Sequence, residues 1–105
     1  MTISDHREIE TVLAFFRKHT GRELDITLSL FDGLIQSERM RVAEVGERGP
    51  SHYHIHLSNP HTQHRIEIDL HHYSFATVSP DQKAVELGRL FGGNLTLRLT
   101  ASEIQ

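Results

Sequence analysis

Seven of the nine histidines lie between residues 52 and 72, and three of them occupy every second position from His52 to His56. Imidazole can bind a metal ion, exchange a proton near neutral pH or act as a nucleophile. Alternate residues of a strand point to opposite faces, so His52, His54 and His56 would share one face. The spacing therefore predicts a histidine ladder on one side of a strand.

Carboxylates follow on the next predicted strand. Residues 59–62, Asn-Pro-His-Thr, are typical of a turn, and closing a hairpin on Asn59 and Thr62 also pairs the apolar residues of the two strands. Three polar cross-strand pairs follow: His52 with Asp69, His54 with Glu67, and His56 with Arg65. These six residues form the predicted binding face.

The same patch predicts a second kind of site. Imidazole and carboxylate ligands together suit zinc or nickel. The candidate ligands are His52, His54, Glu67, Asp69, His56 and His71. Alternatively, these residues form histidine–carboxylate pairs on a solvated sheet face, each contributing about 0.2 to 1 kcal/mol. Both interpretations are open at this point.

A short resemblance offers a third interpretation. Residues 52–58, His-Tyr-His-Ile-His-Leu-Ser, resemble the His-φ-His-φ-His-φ-φ signature of the histidine triad nucleotide hydrolases and transferases. That resemblance implies that His54 attacks an α-phosphate. It covers seven of the 105 residues, the last signature position is the polar Ser58, and 47 residues follow a signature that the family carries near its C-terminus.

The composition excludes several classes of protein. A chain of 105 residues without cysteine has no disulfides and no thiolate ligands, and we expect one domain, residues 1–105, in the cytoplasm. The formal net charge of −3 disfavours nucleic acid as a partner. No stretch approaches the ~20 apolar residues of a membrane span.

The elements that position the ladder are predicted from periodicity. Residues 4–20 form an amphipathic helix with Ser4 or Thr2 as N-cap and Gly21 as the stop, and residues 15–22 are interpreted as its solvated basic end. A strand over 23–31 leads through Asp32-Gly33 and a wider loop to a strand over about 38–45. The histidine hairpin follows, with a bulge at His71-His72.

A second helix is predicted over about 80–91, because Ser79-Pro80-Asp81-Gln82 fits a capping box with proline at the first helical position. A strand over 94–100 follows. The predicted fold is therefore two-layer α+β, with an N-terminal helix, a four- to five-stranded mainly antiparallel sheet and the second helix before a C-terminal strand. An exposed sheet face or edge also predicts a homodimer.

These observations favour a small non-enzymatic protein-binding module that acts through its exposed sheet face, as a regulator, inhibitor, immunity protein or chaperone does. The chain shows no glycine-rich phosphate loop and no paired-carboxylate motif. The first alternative is a histidine-based divalent metal-binding protein, and the second is a nucleotide- or phosphate-handling enzyme that uses His54.

Overall fold

The computed structural model describes residues 6–30, 33, 35–49 and 52–104, except for the side chain of Arg48. This part of the chain forms one α-helix and seven strands of a single antiparallel sheet. The elements are α1 (His6–Lys18), β1 (Glu23–Leu30), β2 (Ile35–Gly49), β3 (His52–Ser58), β4 (Arg65–Asp69), β5 (Phe75–Val78), β6 (Ala84–Phe91) and β7 (Asn94–Glu103). The strand order is β4-β3-β2-β1-β7-β6-β5.

The predicted fold class is wrong. A single helix and seven strands replace the two helices and four to five strands, and most of the described chain is sheet. The helix predicted over 80–91 is strand β6, which pairs with both β5 and β7. In place of the predicted bulge, a 3-10 turn at Leu70–His72 joins β4 to β5.

The segment Ser79-Pro80-Asp81-Gln82, which was predicted to begin a helix, lies in a hairpin turn. The Ser79 N–H donates to the Ala84 carbonyl (2.9 Å), and Gln82 has a φ of 59°. Asp81 accepts hydrogen bonds from the Ser79 hydroxyl and the Lys83 N–H, and these bonds hold the pKa of the Asp81 carboxyl below its usual value. The side-chain oxygens that would cap a helix cap this turn instead.

Helix α1 covers one face of the sheet, which we call the inner face. Val12, Leu13, Phe15 and Phe16 are buried on the helix. They belong to one core with the inward residues of the strands, among them Leu24, Ile26, Met40, Val42, Ile55, Leu57, Ile68, Val85, Leu87, Leu99 and Ala101. The opposite side, the outer face, carries no helix in the described part of the chain. None of the described helices is long and apolar enough to cross a membrane.

Helix α1 lies where its periodicity predicts, although the predicted N-caps Thr2 and Ser4 fall outside the described residues. Gly21 follows the helix with a φ of +82°, a conformation that glycine adopts readily. The interpretation of residues 15–22 as a solvated surface is wrong for His19, which is only 3% exposed.

The predicted β3–β4 register is shifted by two residues. His54 lies opposite Asp69, and His56 opposite Glu67. A two-residue hairpin turn of the favoured types needs a positive φ at its first central residue, which Pro60 cannot adopt. The structure uses a longer loop instead, in which Asn59 donates its N–H to His64 O (2.8 Å) and Gln63 has a φ of 62°. A shift of two residues keeps every side chain on its predicted face.

The β1–β2 hairpin also differs from its prediction. Strand β2 begins at Ile35 and not at about residue 38, because Ser29 pairs with Ile35 and Ile26 with Glu38. Of the predicted Asp32-Gly33 turn, Asp32 lies outside the described residues, while Gly33 donates its N–H to Leu30 O.

Candidate functional site

The outer face of β2, β3 and β4 carries the histidine ladder. The alternating hydrogen bonds of an antiparallel pair explain how close its side chains lie. Because Asn59 and His64 form a hydrogen-bonded pair, the alternation makes His56–Glu67 and His54–Asp69 non-hydrogen-bonded pairs. The backbones approach most closely at such pairs, so the Cβ atoms of each histidine and of the carboxylate residue opposite lie close together.

His54 is the most unusual residue of this face. Although it lies on the outer side, it is only 9% exposed, and its buried Nδ1 has no hydrogen-bond partner among the described residues. Its ring packs on Gly46, the cross-strand neighbour on β2: a Cβ atom at Gly46 would lie 3.0 Å from His54 Nε2. The absence of a side chain at residue 46 makes room for the imidazole. An unsatisfied buried nitrogen is a local energetic cost of about 1–3 kcal/mol.

A β-bulge in β2 places Gly46 opposite His54. The β2–β3 register shifts between Val42 and Glu44, so that Val42 faces the core while Glu44 lies opposite His56. The Glu44 carboxylate also lies near Gly46, because its Oε1 is 3.6 Å from the position that a Cβ atom added to residue 46 would occupy. Glu44 is a member of the site that our sequence reasoning missed.

His54 and His56 are in direct contact. Their ring centroids lie 4.7 Å apart with the planes nearly perpendicular, at 83°. Residues two positions apart on a strand point to the same face, which makes these two rings neighbours. The ring of His52 instead contacts that of His71 in the 3-10 turn, at 4.9 Å.

The carboxylate of Asp69 is directed toward the 3-10 turn. Its Oδ1 accepts the His71 N–H at 2.9 Å, and its Oδ2 lies 3.8 Å from His72 Nε2. It therefore caps the turn and does not form the predicted pair with His52. Arg65 lies opposite Ser58, at the other end of β4.

The predicted residues thus separate into two ring pairs and a charged row along β4. Among the described residues, no three histidine, aspartate or glutamate side chains are arranged to hold a metal ion. His54, the nucleophile that the histidine triad resemblance implies, is nine-tenths buried with its ring against Gly46.

Two histidines outside the ladder have carboxylate partners far away in the sequence that we did not predict. His19, at the end of α1, lies 2.9 Å from Glu103 of β7, and His64, before β4, lies 3.1 Å from Glu38 of β2. Both pairs join residues distant in sequence, so only strand order and register could reveal them. A strand glycine such as Gly46 is itself a usable signal, because it often marks a bulge or a close approach.

No family model, curated protein sequence or solved structure matches the chain.

Proposed function

We propose that the protein is a non-enzymatic protein-binding module that uses the outer face of β2, β3 and β4. The observation that carries this proposal is the one-sided coverage of the sheet, because α1 packs only on the inner face. The binding surface consists of His52, His56, Arg65, Glu67 and Asp69, together with Glu44, and His54 belongs to it only through the small exposed part of its side chain.

The chemistry of this surface favours a polar partner of mixed charge. Along β4 one basic group is followed by two acidic groups on the same face, because Arg65, Glu67 and Asp69 occupy every second position. A partner with the opposite order of charges, one acidic group followed by two basic groups, would pair with each charge in one register only. Charge complementarity of this kind contributes more to specificity and association rate than to affinity.

Site-specific photo-crosslinking tests the proposal. Benzoylphenylalanine at His56 lies in the proposed surface, while the same residue at Thr100 lies on the outer face of β7, three strands away. In native cell extract we expect a discrete adduct from position 56 and none from position 100.

Competition gives the decisive control. Excess untagged wild-type protein should abolish the adduct, whereas untagged Glu67→Arg should compete at least about tenfold less well, because the substitution reverses the charge at the centre of this row. Equal adducts at both positions, or equal competition by Glu67→Arg, would contradict the proposed surface.

A further inference from the structure

We infer that the inner face of the sheet carries a separate site for a small aromatic ligand with one hydroxyl group, a phenol, between β1, β2 and β4. The site lies on the opposite side of the sheet from the proposed protein-binding surface. Its main features are an apolar floor and a polar wall that includes a histidine held by a carboxylate.

The apolar floor exists because α1 covers the inner face incompletely. The helix end is tied to the sheet where β1 begins, since Gly21 N–H donates to Val42 O at 2.8 Å. Leu28, toward the other end of β1, and Ile66 of β4 are inward residues that are only half-buried. Together with Ile26 they form the apolar part of a groove of about 210 Å³, whose other lining residues are Gln36, Ser37, Glu38 and His64. That volume accommodates a single six-membered ring.

The polar part of the groove is the pair of His64 and Glu38. Nδ1 of His64 lies 3.1 Å from Oε1 and 3.2 Å from Oε2 of Glu38. A carboxylate only accepts, so the proton is on Nδ1, and in the neutral ring Nε2 is an acceptor. Nε2 has no hydrogen-bond partner in the described part of the chain, and the imidazole forms part of the groove wall.

This arrangement selects the ligand's chemistry. Both Glu38 oxygens already face His64, and their negative charge disfavours an anionic ligand beside them. In the neutral ring Nε2 can accept a hydrogen bond from a donor on the ligand, and the apolar floor favours a hydrophobic body. Small-molecule sites commonly combine apolar residues with a few polar groups in this way. A phenol supplies both features, while its methyl ether, anisole, supplies only the ring.

The test is an NMR titration of the full chain with phenol and, in parallel, with anisole. We expect phenol to shift the backbone amide signals of Ile26, Leu28, His64 and Ile66. Anisole should bind the same residues about tenfold more weakly, because it cannot donate a hydrogen bond to Nε2. Equal affinities, shifts centred elsewhere or no saturable shift with phenol would each overturn the inference.

Variants give a second, independent comparison. His64→Phe keeps a ring in the wall but removes the acceptor, so it should lower phenol affinity about tenfold and leave anisole affinity unchanged. His61→Phe is the matched control, because His61 is exposed in the same loop and does not line the groove. Unchanged phenol binding in His64→Phe would contradict the assigned acceptor. The comparison of phenol with anisole in the wild-type protein stands even if His64→Phe does not fold.

Discussion

At the scale of single residues, the contact between His54 and Gly46 shows how a polar side chain becomes buried on an otherwise solvated face. The ring fills the space that a side chain at residue 46 would occupy. In a closely packed region even one added methyl group forces neighbouring atoms to move. The environment of His54 is therefore set by a residue on the neighbouring strand.

Gly46→Ala tests this contact. The new Cβ would lie 3.0 Å from His54 Nε2 and 3.2 Å from Cε1, so the ring has to move by a few tenths of an ångström. We expect a loss of about 1 kcal/mol in the free energy of unfolding, measured by urea denaturation, together with a changed His54 ring signal in the NMR spectrum.

Gly49→Ala is the matched control on the same strand. Nothing lies within 4 Å of its added Cβ, and Gly49 does not have a positive φ. This substitution should be neutral or should stabilise by about 0.4–1 kcal/mol, since it reduces the entropy of the unfolded chain. A Gly46→Ala variant as stable as Gly49→Ala would show that the His54 ring is not confined by Gly46.

At the scale of elements, the sequence correctly predicted the helix and the strand whose apolar spacing can be read from a few neighbouring residues. The apolar spacing of α1 and the alternation of the histidine strand both lead to the observed elements. Strand β6 was predicted as a helix because Ser79-Pro80-Asp81-Gln82, just before it, fits a capping box with proline at the first helical position. The alternating buried pair Val85 and Leu87 supported a strand equally well, and pairing with β5 and β7 decided the outcome.

Registers were the less predictable part of the site. The face of each ladder residue follows from parity alone, but its cross-strand partner depends on the loop that joins the strands. Here Pro60 excludes a two-residue turn, and the longer loop, in which Gln63 has a positive φ, places His54 opposite Asp69 and not opposite Glu67. Contacts such as His19–Glu103 required the complete strand order.

The pair of His19 and Glu103 joins α1 to the last strand. The buried His19 ring approaches Phe15 O with Nδ1 (2.8 Å) and Glu103 Oε1 with Nε2 (2.9 Å). Phe15 O and the Glu103 carboxylate are both hydrogen-bond acceptors, and the ring links the end of α1 to β7 through its two nitrogens. The hydrogen bond from His19 is the main cause that lowers the pKa of Glu103 from its usual 4.5, and Lys18 acts in the same direction.

This pair predicts an acid-dependent loss of stability. A carboxyl whose folded pKa is lowered stabilises the fold above its unfolded pKa, and that contribution is lost as pH falls through the folded value. The difference in unfolding free energy between wild type and Glu103→Gln should therefore be complete at pH 6 and shrink below about pH 4.5. Urea denaturation between pH 6 and pH 3 measures it.

An exposed ion pair provides the comparison. Glu86 lies 3.0 Å from Arg98 with both side chains well exposed, and Glu86→Gln should change the unfolding free energy at pH 6 by only about 0.5 kcal/mol. If Glu103→Gln and wild type differed by the same amount from pH 6 to pH 3, the assigned role of the Glu103 charge would be wrong.

At the scale of the whole molecule, the two edges of the sheet are protected from further strand pairing in different ways. Glu8 of α1 accepts the Ala76 N–H at 2.7 Å and so occupies a backbone donor at the β5 edge. The opposite edge is the five-residue strand β4. A short edge strand with charged side chains is a common defence against unwanted strand pairing. Neither edge is therefore the surface at which we expect two copies to meet.

The exposed apolar residues indicate where a homodimer would form. Among the described residues, the large exposed hydrophobic side chains are Ile35 (65% exposed), Leu90 (36%) and Phe91 (80%). They lie at the adjacent tips of the β1–β2 and β6–β7 hairpins, because the end of β1 runs alongside the start of β7. Apolar residues grouped in this way often mark an interaction surface. The proposed homodimer should therefore form through these tips.

Light scattering across the micromolar range tests the dimer. The wild-type mass should approach twice the 12.0 kDa of one chain, and Phe91→Ser should return it toward 12.0 kDa. Burying a phenylalanine contributes about 1.5 kcal/mol or more, and a two-fold contact loses that contribution twice, so dissociation should be favoured at least about a hundredfold.

Lys83→Ser, in the turn at the opposite end of the sheet, should leave the mass unchanged. A wild-type mass of one chain at every concentration would refute the dimer, and equal dissociation by Lys83→Ser would refute its placement at the tips.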